Sequence, residues 1–107
     1  MLISYKKGDI VVLTNKYHTY LWHRRFIEAK IRCVAIITEC NRKNIFRIKI
    51  INNNILSATR REWSVFQDEI EKKITYEEMI AYLIWNNYII YNNLIDKYGI
   101  GVSNGGI

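Results

Sequence analysis

The stretch Ile45-Phe46-Arg47-Ile48-Lys49-Ile50-Ile51 decides the fold, because apolar and charged residues alternate along it. A period of two is typical of a β-strand with one buried and one solvated face. Asparagine-rich turns flank the stretch at residues 41–44 and 52–54, and Asn tolerates the left-handed backbone of tight turns. The pattern therefore predicts a strand between two hairpin turns, with Phe46, Ile48 and Ile50 facing a core.

Outside this strand, apolar runs predict four more strands. They cover residues 10–13, 26–40, 55–59 and 63–66. Residues 14–25 show no clean period and are expected to form a long loop. A long first loop followed by two tight hairpins is the strand rhythm of small β-barrels.

The stretch Lys7-Gly8-Asp9-Ile10-Val11-Val12 resembles the opening of many SH3-like small barrels, including the KOW and Tudor types. The resemblance extends over residues 5–66 at the level of the superfold. It implies a five-stranded SH3-like β-barrel, in which the long first loop lines the usual ligand groove.

A long helix is predicted after the barrel. Thr75 and Glu78 form a capping box, in which the Thr75 hydroxyl accepts from the backbone N–H of Glu78 and the Glu78 carboxylate reaches back. Gly99 ends the helix, which gives a helix over residues 75–98 and a Gly-rich flexible tail over residues 99–107. The expected fold class of this single domain, residues 1–107, is α+β.

At 100° per residue, most apolar residues of this helix share one broad face, which is expected to pack on the barrel. They are Ile80, Leu83, Ile84, Tyr91, Leu94, Ile95 and Tyr98. The opposite stripe consists of Glu78, Tyr82, Asn86, Asn93 and Lys97. Trp85 and Ile89 interrupt that stripe. Either they form the interface of a homodimer or adaptor protein, or the helix is wedged between the barrel and residues 14–25.

Charge is divided unevenly along the chain. Residues 1–61 contain 13 Lys and Arg against three acids, a net charge of +10, whereas residues 62–107 contain three Lys against seven acids, a net charge of −4. A basic half of this size predicts a surface that meets an anionic partner. In the alternative arrangement, the acids of the second half lie against the basic half and neutralise part of it.

Residues 17–26 interleave aromatic and cationic residues, a combination that holds single-stranded nucleic acid through stacking and phosphate contacts. A second set of cations follows on the strand at 45–51 and at the turns near it. The expected binding residues are Tyr20, Trp22, His23, Arg24, Arg25, Arg47, Lys49, Arg60 and Arg61. The alternative is structural: Trp22 and one Tyr plug the end of the barrel, while the cations only solvate the surface.

Motifs for catalysis or metal binding are missing from the sequence. Cys33 and Cys40 lie seven residues apart in one predicted strand, too far for a disulfide, and are expected to be free and buried. His18 and His23 match no zinc spacing, and neither is placed to activate a cysteine. We expect no metal, no cofactor and no enzymatic activity. The alternative is a small nuclease-like enzyme, in which Glu39 or Glu62 would act beside the basic residues. The apolar runs are too short for a signal peptide or a membrane span, which predicts a cytoplasmic protein.

The chain is rich in Ile, Asn, Lys and Tyr and contains no Pro, a usage expected from an AT-rich genome. Small proteins of this type resemble the accessory proteins of phages and mobile elements, including anti-CRISPR inhibitors of host defence. The resemblance implies a non-catalytic basic protein that docks on nucleic acid or on a nucleoprotein complex of a bacterial host. The alternative is an adaptor or homodimer that uses the helix face of Trp85 and Ile89.

Overall fold

The computed structural model describes residues 5–16, 20–42, 44–51 and 62–98, with the side chains of residues 41, 42 and 94–98 excepted. Its elements are β1 (Ile10–Leu13), α1 (Leu21–Glu28), β2 (Val34–Arg42), β3 (Ile45–Ile50), β4 (Glu62–Phe66), a 3-10 turn (Gln67–Glu69), β5 (Ile70–Ile74) and α2 (Tyr76–Tyr98). The class is α+β, as predicted. It combines a five-stranded antiparallel sheet with two helices.

The strands lie in the order β4-β3-β2-β1-β5, and every neighbouring pair is antiparallel. β3 behaves as its alternating sequence predicts, because Phe46, Ile48 and Ile50 are buried while Lys49 is exposed. No ladder joins β4 to β5 in the part of the chain that the structure describes. The sheet is open at these edges, and the predicted closure into a barrel is not shown.

Two clusters of buried side chains lie on opposite faces of the sheet. The main cluster takes residues from all five strands and from α1. The smaller cluster consists of Val12, Val34 and Ile74 and meets the first half of α2. Val11 belongs to the main cluster and Val12 to the smaller one, because successive strand residues point to opposite faces. The sheet is therefore covered on both sides around β1.

The predicted loop over residues 14–25 contains a helix, α1, which corrects the sequence-based expectation. Its buried side chains are Trp22, His23 and Phe26. The helix closes with two backbone bonds, Lys30 N–H to the Ile27 carbonyl at 3.0 Å and Ile31 N–H to the Phe26 carbonyl at 3.1 Å. Lys30 takes a left-handed φ of 63°, the C-terminal capping geometry that Gly usually supplies. Sequence rules miss a helix of eight residues because tertiary packing, not propensity, stabilises it.

The same helix shortens the predicted strand over residues 26–40. Residues 26–28 belong to α1, and β2 begins only at Val34. Cys33 therefore precedes β2, while Cys40 lies within it. Both thiols are free, as predicted, but Cys40 is exposed, so its predicted burial is wrong. Burial raises the pKa of the Cys33 thiol well above its ordinary value.

β5 corrects the prediction that the sheet ends at residue 66. It pairs with β1, joining Ile10 to Ile74 and Leu13 to Ile70. Only its two terminal isoleucines are buried, with three charged residues between them, so a period of two is not visible in the sequence. A backbone bond of 2.8 Å from Thr14 N–H to the Glu69 carbonyl also ties the 3-10 turn to the end of β1. The strand predicted at residues 55–59 lies outside the described residues.

α2 begins where the sequence predicts. The Glu78 backbone N–H donates to Thr75 Oγ1 at 3.1 Å, and the Thr75 backbone N–H donates to Glu78 Oε1 at 2.8 Å. The two bonds satisfy two of the donors that a helix start leaves unpaired. Across the described ranges, neither helix combines the length and the apolarity that a bilayer crossing requires.

Candidate functional site

One amide fixes how α2 lies on the rest of the molecule. Asn86 is completely buried. Its Nδ2 donates to the Arg32 carbonyl at 2.8 Å, and its Oδ1 accepts from the Arg32 backbone N–H at 3.1 Å. Two turns further on, a weak bond of 3.5 Å runs from Asn93 Nδ2 to the Ala29 carbonyl. Because Asn86 holds both backbone groups of one residue, it sets the rotation of the helix about its own axis.

The rotation set by Asn86 reverses the predicted faces of α2. The side chains that pack on the two core clusters are Met79, Tyr82, Leu83, Ile89 and Ile90. Of the predicted polar stripe, Tyr82 and Asn86 therefore face the sheet, whereas Glu78 and Asn93 are exposed. Leu83 of the predicted core face packs on the smaller cluster, as predicted. The predicted core residues Ile80, Ile84 and Tyr91 are exposed. The prediction was wrong because α2 is apolar on nearly every side, so hydrophobicity alone does not select a face.

The reversal leaves a continuous apolar surface in solvent, which we name the outer face of α2. Its members, with their exposed fractions, are Ile80 (39%), Ile84 (64%), Trp85 (53%), Tyr88 (55%) and Tyr91 (56%). The Trp85 and Tyr88 rings stack, with centroids 5.6 Å apart and an interplanar angle of 25°. With about half of each large side chain exposed, the outer face offers on the order of 500 Å². An apolar patch of that size is at the upper end of what a monomer usually exposes.

A shallow depression of about 250 Å³ adjoins the outer face and is lined by Glu78, Ala81, Tyr82 and Trp85. Trp85 thus belongs to both features. The Lys72 ammonium group lies over the ring of Tyr82, with Nζ 5.9 Å from the ring centroid. The depression is a place where a side chain of a bound partner can insert beside the apolar stripe.

The two residues of the predicted interface, Trp85 and Ile89, differ in their exposure to solvent. Trp85 is exposed, whereas Ile89 is partly buried and packs against the main cluster. Ile89 therefore offers a partner less surface than Trp85 does. Among the described residues, no segment covers the outer face, so the predicted wedging of α2 between the barrel and residues 14–25 is not seen there.

The aromatic residues predicted to stack on bases have structural roles. Trp22 and His23 are 5% and 1% exposed, so the expectation that His23 is accessible was wrong. The Tyr20 hydroxyl donates to the Ser64 carbonyl at 2.8 Å, and its ring stacks on Trp22 at 5.5 Å. Trp63 lies against both rings. Together these rings close one end of the main cluster, as the structural alternative proposed.

The predicted cations are only partly available. Arg24 and Arg25 are exposed on α1, and no acid among the described residues forms an ion pair with them. Arg47 instead pairs with Glu62 on β4, with 3.1 Å between Nε and Oε1. This bond holds the pKa of Glu62 below its ordinary value. Lys49 is exposed and lies opposite Glu62 in the ladder, while Arg60 and Arg61 lie outside the described residues.

The acidic half neutralises part of the basic half elsewhere too. Arg32 forms an ion pair with Glu71 of β5. A second pair has the opposite polarity, because Lys73 of the acidic half lies with its Nζ 3.3 Å from Oδ1 of Asp9 in the basic half. Both pairs join β5 to the first part of the chain. The net charge of residues 1–61 therefore overstates the cationic surface that a ligand meets. The exposed guanidinium groups of Arg24 and Arg25 on α1 are the clearest part of the cationic surface that remains.

Within the described ranges, no group of three or more His, Cys, Asp or Glu side chains is arranged to hold a metal ion. Comparison with protein-family models, with curated proteins and with solved structures finds no match for this chain. The candidate site is therefore defined by geometry alone, as the outer face of α2 with the depression beside Trp85.

Proposed function

We propose that this protein is a cytoplasmic, non-catalytic interaction module that binds another protein chain through the outer face of α2. One observation carries the proposal: Asn86 holds the helix in the orientation that leaves an apolar stripe with three aromatic side chains in solvent. Exposing that stripe costs free energy unless a partner covers it. Tyr and Trp, which dominate the outer face, are also the residues enriched at interface hot spots.

The chemistry of α2 favours a protein over a nucleic acid. Residues 76–91 contain no Lys or Arg, and Glu77 and Glu78 are their only charges. Nucleic acid binding depends on cations that neutralise phosphates. An uncharged aromatic and aliphatic surface instead matches the apolar core of a protein interface.

The test compares two double substitutions of exposed apolar residues in co-purification from the host cell. Ile84→Ser/Tyr88→Ser removes two side chains of the outer face. Leu21→Ser/Phe66→Ser is the matched control, because these side chains are 61% and 57% exposed elsewhere on the molecule. The outer-face variant is expected to bind at least about tenfold more weakly, while the control retains the wild-type partner. Equal recovery by both variants, with melting temperatures unchanged, overturns the proposal.

A second candidate function rests on the exposed Arg24 and Arg25, which no described acid pairs. We propose that α1 contributes to docking on an anionic partner, as phage accessory proteins and anti-CRISPR inhibitors do with nucleic acid or nucleoprotein complexes. This version needs no stacking from Trp22 or His23. It predicts binding that is blind to sequence and weakens with salt.

A salt titration of nucleic acid binding tests the second candidate. Arg24→Glu/Arg25→Glu should flatten the log–log salt slope by about 0.9 per lost phosphate contact on duplex DNA. Lys6→Glu/Lys7→Glu changes the net charge equally at two other exposed residues and is the control. An identical slope for both variants indicates a general charge effect and excludes a site on α1.

We also propose that the sheet curls into an SH3-like barrel. What supports this is that the main cluster collects residues from all five strands on one face, as a closed or nearly closed interior requires. Short interproton distances between β4 and β5 in solution would support closure. A flat sheet with solvent between these edges would contradict it.

A further inference from the structure

The outer face of α2 has the geometry of a helix that pairs with a copy of itself. We infer that the partner covering it is a second copy of this chain, whose α2 packs lengthwise and antiparallel against the first. This inference rests on the function proposed above, since it names the occupant of the same surface. Four independent features support it: spacing, a polar position, charge and area.

The spacing of the outer face is that of a helix–helix seam. Ile80, Ile84, Asn87 and Tyr91 follow at intervals of four, three and four residues, and all four are exposed. A regular alternation of four and three residues is a heptad repeat, which keeps one stripe in contact with a neighbouring helix along its length. The helical backbone continues to Tyr98, and Leu94 and Tyr98 extend the same intervals in the sequence.

Asn87 is the polar position in this seam, and it differs sharply from its neighbour Asn86. Asn86 is buried and bonded within its own chain, whereas Asn87 is exposed. A carboxamide carries both a donor and an acceptor, so the polar groups of an identical seam can satisfy it. A single Asn in an otherwise apolar seam is a known device for selecting register and oligomeric state.

Charge favours a second copy and an antiparallel arrangement. Each chain carries a formal net charge of +6, so two copies must meet where cations are scarce. Residues 76–91 meet this condition, because they contain no Lys or Arg. A parallel pair would place the acids Glu77 and Glu78 of both first turns side by side. An antiparallel pair separates them and opposes the two helix dipoles favourably.

The area sets the expected affinity. Trp85 lies on the far side of α2 from Asn87, so the seam with the adjacent Tyr88 buries only on the order of 400 Å² from each copy and about 800 Å² in total, below the size of standard specific interfaces. Such an interface predicts a weak, reversible dimer with a dissociation constant on the order of tens to hundreds of micromolar. The dimer should therefore form and dissociate within the concentration range of ordinary solution measurements.

Sedimentation equilibrium between about 1 µM and about 1 mM tests the inference. The wild type should pass from monomer to dimer in this range. Ile84→Asp places a charge in the seam and should raise the dissociation constant at least about 100-fold. Leu21→Asp, at a side chain that is 61% exposed on α1, is the matched control and should dimerise like the wild type. Far-ultraviolet circular dichroism confirms that each variant is folded.

Asn87→Leu should lower the dissociation constant of the dimer, whereas Ile84→Asp should raise it. Removing the polar position should tighten self-association about tenfold or more and admit higher oligomers, because the seam loses both its desolvation cost and its register signal. A dissociation constant equal to that of the wild type would show that Asn87 is outside the contact, which overturns this seam.

The orientation has its own test. Ile80→Cys in a Cys40→Ser background removes the exposed native thiol and places a new one near the start of α2. In an antiparallel pair the two new thiols lie at opposite ends, so oxidation should give no linked dimer. Rapid formation of a linked dimer would overturn the antiparallel arrangement.

The outcomes separate this inference from the proposed function. A wild type that remains monomeric at about 1 mM, or an Ile84→Asp variant that still dimerises, overturns the second copy as the occupant. The co-purification ratio of the two double variants then remains the separate test of the proposed function. Loss of dimerisation in Leu21→Asp as well would move the contact to α1 and also overturn the inference.

Discussion

The two helices of this protein treat their aromatic residues in opposite ways. α1 buries Trp22 and its neighbour His23 in a segment predicted to offer them to a ligand. α2 exposes Tyr91, together with the aliphatic Ile84, on a face predicted to pack against the sheet. The first helix is short and ends in a capped turn, while the second spans residues 76–98. In both helices, the buried side is the one whose side chains pack against the rest of the chain or hydrogen-bond to it.

The contrast shows that amphipathicity predicts the buried face of a helix only when the apolar and charged residues lie on clearly separate sides. α1 carries Arg24 and Arg25 on one side and Trp22 and Phe26 on the other, so burial of the apolar side leaves no alternative rotation. α2 has apolar residues around most of its circumference. Several rotations bury a similar area there, and two hydrogen bonds from Asn86 are enough to select one.

The largest expected effect tests the burial of α1. Trp22→Ala should lower the free energy of unfolding by about 3–5 kcal/mol, because it empties space in the main cluster. Leu21→Ala, at the adjacent exposed position, should change it by less than about 0.5 kcal/mol. Urea denaturation measures both. If Trp22→Ala leaves stability intact but weakens ligand binding, α1 presents its aromatic ring as the sequence suggested.

The next effect tests what holds α2. Asn86→Ala removes two hydrogen bonds and leaves the backbone groups of Arg32 without partners, which should cost about 2–3 kcal/mol. Asn87→Ala changes the same residue type at an exposed position and should cost less than about 0.5 kcal/mol in the dilute monomer. Equal losses for the two variants would show that the amide does not set the rotation of the helix.

The smallest effect tests the start of α2. Thr75→Ala should cost about 1 kcal/mol through loss of the cap. The backbone N–H of Thr75 holds the pKa of Glu78 below its ordinary value. The stabilisation from Glu78 is therefore fully present above the ordinary carboxyl pKa and is lost as the pH falls through the lowered one.

Thermal unfolding across that pH window checks the Glu78 effect. The stability gap between wild type and Glu78→Gln should be present at pH 7 and should close in acid. Glu77→Gln makes the same charge change one residue away and is the control at pH 7. A gap that persists below the window would show that Glu78 acts through packing and not through its charge.

Elements with a strong local signal were predicted correctly. β3 has the inward and outward faces that its alternation indicates, and α2 begins at the Thr75–Glu78 capping box. In both, the informative residues are neighbours in the sequence, so the pattern and the physical cause coincide. A structural role for Trp22 and one Tyr was also available from the sequence as an alternative, since a small core needs large side chains to fill its ends.

Elements that depend on distant partners were missed. β5 has only two buried residues, and its place in the sheet comes from pairing with β1, about 60 residues earlier. α1 is too short to be stable by itself and depends on contacts with Trp63 of β4 and the rest of the main cluster. No local period marks either element.

Sequence patterns were enough to predict the α+β class, the alternating face of β3, the start of α2 and the unequal charge of the two halves, because each depends on composition or on residues close together in the chain. The tertiary structure decided which face of α2 is buried and how much of the basic half is neutralised. The reason is physical. The Asn86 amide and the Arg47 guanidinium find their partners, the Arg32 backbone and Glu62, at sequence separations of 54 and 15 residues. Folding alone brings such groups together, and the outer face of α2 is the surface that this arrangement leaves uncovered.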